Sequence, residues 1–128
     1  MESRHKTIAI DTNVLVSIAK TKIDVLEEAE KEFGKQAEFV VPEQVIAEIE
    51  SLAGKGKTMK KACEIAKKII ESHRVKVITI GAKNADSALL EMAKDGSAVI
   101  TSDRELKRRV KKALGEIIEL SKGHIKKN

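Results

Sequence analysis

A three-layer α/β/α sandwich, with helices on both faces of a parallel sheet, is the fold class this sequence predicts. Three observations carry it. Short apolar runs recur along the chain, separated by helix-length segments, as expected for strands buried on both faces. Hydrophobic residues make up 41% of the 128, enough for one domain with a real core. No repeat, low-complexity stretch or linker divides the chain, so one domain is expected over residues 1–128. Right-handed crossovers between parallel strands then distribute the helices over the two faces.

The elements follow in order. Strand one covers residues 7–10. A helical stretch over 14–35 follows, with Leu15, Ile18, Ala19, Ile23, Leu26 and Ala29 apolar. Thr21-Lys22 is a point where it can divide, and Gly34 suits its C-terminal cap. Strand two covers 38–41, and Pro42 opens a helix running to Ala53, a favoured place for proline. Gly54-Lys55-Gly56-Lys57 is a loop, and residues 58–72 are a helix. Strand three covers 75–80, and residues 81–83 turn into a helix over 84–94. Asp95-Gly96 turns into strand four at 97–101. A helix over 104–114 ends at Gly115, strand five covers 116–120, and residues 121–128 form a basic tail.

Composition narrows the function classes. There is no Trp or Tyr, and Phe33 and Phe39 are the two aromatics, so the core is aliphatic. Base-stacking on aromatic platforms is largely excluded. A net charge of +5, from 25 Lys and Arg against 20 Asp and Glu, favours a polyanionic partner modestly. The single Cys63 excludes an internal disulfide and a cysteine-based zinc site, and its helical neighbours suit a small packed residue. His5, His73 and His124 share no motif and are expected at the surface. No apolar run approaches the length of a membrane span, and the polar start is no signal peptide. A soluble, cytoplasmic protein is expected. Abundant charge with scarce Gln, Asn and Cys resembles thermophile composition.

Two stretches carry the chemistry. Ile8-Ala9-Ile10-Asp11-Thr12-Asn13 and Ala98-Val99-Ile100-Thr101-Ser102-Asp103 are both apolar strands ending in Asp. In open α/β sheets, ligands bind beyond the carboxyl ends of the strands. Either acid alone also suits a helix N-cap. Two more acids lie on helices. Glu48 and Glu50 fall on opposite borders of the stripe Val45, Ile46, Ile49, Leu52 and Ala53, and spacing does not choose between them. Asp86 borders the stripe Ala85, Ala88, Leu89, Met92 and Ala93, in a first turn where an acid also complements the helix dipole.

Asp11, Glu48, Asp86 and Asp103 in one cleft would raise one another's pKa or take up a cation. Oxygen ligands alone select Mg²⁺ or Mn²⁺. Asn13, Thr101 and Ser102 are placed to orient the strand-end acids. Competing chemistries are poorly served. There is no phosphate-binding glycine loop with its lysine and no nucleophile-elbow serine. A haloacid-dehalogenase-like phosphatase needs a second Asp where Asn13 stands.

The sequence resembles the PIN-domain nucleases at Ile-Asp-Thr-Asn (10–13), Ala-Glu-Ile (47–49), Ala-Asp-Ser (85–87) and Thr-Ser-Asp-Arg-Glu-Leu-Lys-Arg-Arg-Val (101–110). These pieces stand in the family's order and span nearly the whole chain. The resemblance implies a five-stranded parallel sheet of order 3-2-1-4-5. It also implies divalent-metal-dependent cleavage of single-stranded RNA by Asp11, Glu48, Asp86 and Asp103 as catalytic and metal-binding residues. On that pattern Glu48, not Glu50, is the second acid, and Asn13 and Thr101 are the orienting residues. Family members often carry a second Asp where Ser87 stands here, which removes one ligand from the set. Asp103 to Val110 resembles the branch that processes small-subunit ribosomal RNA, in its compact archaeal form. The toxin branch of toxin–antitoxin pairs shares the same acids. A non-catalytic RNA-binding scaffold is the alternative from another class. RNA is the expected partner, through Arg104, Lys107, Arg108 and Lys111 on the last helix and Lys55 and Lys57 in the loop. Leu106, Val110 and Ala113 or Leu114 are expected to face the core there. Homodimers are common in the family, though the sequence names no surface for one.

Overall fold

The structure is a computed structural model that describes residues 6–126. Five parallel strands form one sheet in the order β3-β2-β1-β4-β5. They are β1 (Lys6–Ile10), β2 (Ala37–Pro42), β3 (Lys76–Ile78), β4 (Ala98–Ile100) and β5 (Glu116–Ile118). Between them lie α1 (Thr12–Thr21), α2 (Val25–Phe33), α3 (Glu43–Ala53), α4 (Lys57–Ser72), α5 (Ala85–Lys94) and α6 (Arg104–Lys112). The chain steps from β1 to β2 to β3 in one direction, then crosses back to β4 and steps to β5 in the other. Right-handed crossovers taken in opposite directions lie on opposite faces. Accordingly α1, α3 and α4 pack on one another, and α5 packs on α6.

The central strands are buried on both faces. Ile8, Ala9 and Ile10 of β1 are wholly enclosed, opposite Ala98, Val99 and Ile100 of β4 in direct register. Leu15 and Leu26 close one side of the core and Leu89 and Leu106 contribute from helices α5 and α6. The stripe predicted for α5 is buried throughout, from Ala85 to Ala93. Cys63 is buried, as its helical neighbours indicated. Among the described residues no helix is long and apolar enough to cross a membrane.

The 14–35 helix divides after Thr21, at the point the sequence allowed: Lys22 adopts φ 61° and Asp24 begins a new helix by accepting Leu26 and Glu27 N–H groups. Other sequence expectations are corrected. Strand three stops at Ile78, not at 80. Its partner β2 ends at Pro42, opposite Ile78, so Thr79 has no ladder to join. The carbonyls of Ile80 and Ala82 accept instead from Gln44 Nε2 at 2.7 and 2.8 Å. Leu114 is 94% exposed, because at φ 63° it turns outward as α6 unwinds; Val110 and Leu106 alone are buried on that helix.

The basic tail is a hairpin, β6 (Leu120–Ser121) with β7 (His124–Ile125). Lys122 and Gly123 both take positive φ, 54° and 85°, which is the geometry of a type I′ turn. Asn-Gly is its usual signature, and Lys-Gly takes the same geometry here. Glu28 ties the hairpin down by accepting the Ile125 N–H at 2.8 Å and pairing with His124. His73 is not a surface histidine. Its side chain is 12% exposed, with Nε2 2.7 Å from Asp24 and Nδ1 3.2 Å from Glu30. His5 lies outside the described residues.

Candidate metal centre and nucleic-acid cleft

Strands β1 and β4 lie side by side, and the chain leaves them in opposite directions. This is the topological switch point, where the two connections part and open a crevice. Asp11 and Thr101 follow immediately on these strands. The Asp11 N–H bonds the Ile100 carbonyl at 3.0 Å, which ties the two strand ends together. Asp11 caps α1, with Oδ1 accepting the Thr12 N–H at 2.7 Å. The Thr101 hydroxyl donates to Asp11 Oδ2 at 2.6 Å and accepts the Asp103 N–H at 3.0 Å. One buried threonine therefore couples both strand-end acids. Asp103 in turn caps α6, with Oδ1 accepting from Glu105 N and Leu106 N. The capping role and the cleft role of these acids coexist, because each carboxylate oxygen has a second lone pair and Asp103 keeps one oxygen free.

Glu48 reaches the crevice from the middle of α3, and Asp86 from the first turn of α5, whose cap is Asn84. All four acids line one cavity of about 1150 Å³. Glu50, the residue that spacing left level with Glu48, does not line it. Burial lifts the Asp11 carboxyl from 3.8 to about 6. The hydrogen bonds from Thr101 and Thr12 oppose that rise, and the charges of Asp86 and Glu48 add to it. Asp86 is also raised, first by burial and then by Asp103 and Glu48, while Arg109 pulls it down. These carboxylates thus feel one another as a single negative cluster.

Does this arrangement suit a hard cation? The donors are all oxygen, the choice of Mg²⁺-class ions. Burial is the main cause of the raised Asp11 carboxyl, and the charges of Asp86 and Glu48 push it the same way. Beside it, the buried Thr12 hydroxyl lines the same cavity and has no hydrogen-bond partner. Among the described residues no three Asp, Glu, His or Cys side chains stand close enough to cage an ion as they are. Glu48 is exposed and Asp86 half-buried. On the nature of the donors and the uncompensated charge, the group fits.

The remaining predicted residues divide. Asn13 lines the cavity and is exposed, whereas Ser102 is exposed and outside it. Lys57 lines the cavity, and Lys55 does not. The predicted cations of α6 are not at the cleft. Arg104, Lys107, Arg108 and Lys111 are all outside its lining. Lys107 and Lys111 instead share Glu119, at 3.4 and 2.9 Å, and Arg108 pairs with Glu105. Their attraction holds the Glu119 carboxyl below its ordinary range. Helix α6 carries the charge the sequence advertises and spends much of it within its own neighbourhood.

Sequence reasoning missed Arg109, which acts on Asp86, and Lys20, Lys22 and Lys61, which line the cavity. The signal was present. Asn13, Val16, Ser17 and Lys20 recur at helical spacing, so a stripe that begins at the acidic end of α1 reaches Lys20. Lys57, Lys61 and Ile65 repeat every fourth residue on α4 in the same way.

The chain was compared with known proteins. A family described as a PIN like domain matches residues 8–122. Ribonuclease VapC9 of Archaeoglobus fulgidus is 36% identical over 114 residues, covering 85% of this chain and 78% of that protein. The solved PIN domain endonuclease Utp24 superposes with a TM-score of 0.73 at 23% identity, over 93% of this chain and 90% of that one. A domain of a functionally unknown protein from Methanocaldococcus jannaschii gives 0.68 at 26% identity, over 91% of each chain. VapBC2 from Rickettsia felis, solved with a DNA fragment from its promoter, gives 0.61 at 15% identity, over 80% of this chain and 92% of that one. The likenesses to Utp24 and VapBC2 speak for the fold alone. Because the family match runs from the first strand past all four acids of the cavity, the chain belongs to the PIN-like domain family.

Proposed function

We propose that this protein is a divalent-metal-dependent endoribonuclease acting on single-stranded RNA. The observation that supports it is the gathering of Asp11, Glu48, Asp86 and Asp103, from four separate stretches of chain, around one cavity at the switch point. These four are the proposed metal ligands and catalytic residues. A divalent cation, when bound, supplies Lewis-acid charge for the scissile phosphate and eases deprotonation of water. The chain's own part is to hold the ligands in place. Thr101 fixes the Asp11 carboxylate through one oxygen and the Asp103 backbone through the other side of the same hydroxyl. That leaves the second lone pairs of Asp11 and the free oxygen of Asp103 to face the cleft. Arg109, near Asp86, adds positive charge where a phosphate approaches. Either Mg²⁺ or Mn²⁺ suits the donor set, and products with a 5′-phosphate and a 3′-hydroxyl are expected.

Two roles are carried forward. Ribosomal RNA processing follows from the resemblance of residues 103–110 to that branch. A toxin-type ribonuclease is favoured by the 36% identity to Ribonuclease VapC9. End-labelled RNA carrying a small-subunit 3′ boundary tests both, with wild type and Asp11→Asn, each in Mn²⁺ and in chelator. Cutting that needs the metal and disappears in the variant supports the nuclease. A single cut at the boundary supports processing. Cutting at scattered sites, with growth arrest on expression that a small partner protein relieves, supports the toxin type. RNA binding without metal and without turnover in any lane overturns the enzyme in favour of a binding scaffold.

A further inference from the structure

Besides the four acids, the cavity is lined by residues of α1, α3 and α4, and these are of a different kind. Its floor is aliphatic and half-buried: Val16 from α1, Leu52 from α3, and Met59 and Ile65 from α4. Lys20, Lys57 and Lys61 stand along its rim, all exposed. None of the three is in an ion pair among the described residues, in contrast to Lys107, Arg108 and Lys111 of α6, which are neutralised by neighbouring acids. These lysines of the cavity lining are thus left without a counter-charge among the described residues.

Resting on the ribonuclease reading, we propose that this apolar, lysine-rimmed lining is the track for the unpaired nucleotides flanking the scissile phosphate. The phosphates lie along the lysines, and the bases rest on the aliphatic floor. Charge complementarity selects the occupant. A polyanion meets the lysines, and its scissile phosphate reaches the acid cluster once a cation offsets the repulsion there. The apolar floor selects the form of that polyanion. Base faces are available to side chains only when they are unstacked, so a single strand can use the floor and a duplex cannot. No aromatic lines the cavity, so contact is by apolar surface and charge rather than by stacking, and sequence preference within the track is weak.

The test uses the intact chain in chelator, with a fluorescent single-stranded RNA and its duplex, titrated at several salt concentrations. In the variant Lys57→Glu/Lys61→Glu both substituted side chains are exposed, so no buried contact is removed. The variant is expected to bind the single strand about 10-fold more weakly, with the salt slope reduced by roughly 1.4, for two phosphate contacts at about 0.7 each. The control Lys67→Glu/Lys68→Glu carries the same charge change on α4 outside the cavity and should bind as wild type. Met59→Gln should weaken single-strand binding about threefold with the slope unchanged, and narrow the gap to the duplex. Equal binding by the Lys57/Lys61 variant and its control overturns the track and leaves the lining to a protein segment. A wild type that binds through this lining but never cuts in Mn²⁺ overturns the nuclease reading while the track stands.

Discussion

Asp11→Asn should stabilise the metal-free protein at neutral and alkaline pH while abolishing cleavage. Asp11 is 4% exposed, and its carboxyl titrates near 6 instead of 3.8. An acid raised on folding holds its proton more tightly in the native state. Between about pH 3.8 and 6 the native protein therefore binds more protons than the unfolded chain, and stability falls as pH rises through that window. A shift of about two units corresponds to about 3 kcal/mol, fully exerted above pH 6. Between about pH 4.5 and pH 8, roughly 2 kcal/mol of that penalty is incurred by the wild type alone. Asparagine escapes it. Its amide oxygen still accepts the Thr12 N–H, and its amide nitrogen can donate to Thr101 Oγ1, whose own proton must then turn elsewhere. The assay is urea unfolding in chelator at both pH values. The variant's advantage should grow by about 2 kcal/mol from the lower pH to the higher, roughly 8 °C in Tm for a domain of this size. Adding Mn²⁺ should reverse the order by stabilising the wild type alone. An advantage independent of pH, or a variant less stable at pH 8 than the wild type, would refute the reasoning.

Further outcomes follow from the same geometry. Asp103 both caps α6 and faces the cleft, so its two roles separate by substitution. Asp103→Asn should keep stability and lose at least about 10-fold in cleavage, whereas Asp103→Ala should also cost about 1 kcal/mol in thermal unfolding. Thr101→Val removes the hydroxyl that donates to Asp11 and accepts from Asp103 N. It should lower stability by about 1–2 kcal/mol and cleavage by about 10-fold, and unchanged cleavage would show that Asp11 needs no such anchor. Burial alone would lower the His73 pKa, but its bonds to Asp24 and Glu30 outweigh burial and raise it above 6.5. The clamp between α2 and the end of α4 is therefore fully present below about pH 6.5 and is lost as pH rises through the folded value. His73→Gln should cost about 1–2 kcal/mol near pH 6 and progressively less toward pH 9, measured by urea unfolding at each pH.

Much of the fold was legible because each element carries its own local cause. Asp11, Asp24, Asn84 and Asp103 cap helices with their side chains, and the buried runs of β1 and β4 read as strands without a partner in view. The misses fall where a neighbour decides. Strand three is short because Pro42 ends its partner, which nothing in residues 79–80 announces. The hairpin at 120–125 stays in place because Glu28, on a helix distant in sequence, receives it. His73 is drawn inward by two carboxylates on α2.

The site shows the same division. Periodicity and strand ends were enough to name Asp11, Asp86 and Asp103 as candidates and to leave Glu48 level with Glu50, since an acid at the border of an apolar stripe is visible in one dimension; the family pattern chose Glu48. Of the cations that line the cavity with them, only Lys57 was named from the sequence. Helix α6 is dense in Lys and Arg, yet Glu119 and Glu105 neutralise part of that charge. The lysines at the cavity come from the end of α1 and the start of α4, thirty-seven residues apart from Lys20 to Lys57. A residue's type and spacing record what it can do. Whether its charge is offset, and which cavity it faces, depends on helices that meet only once the sheet is formed.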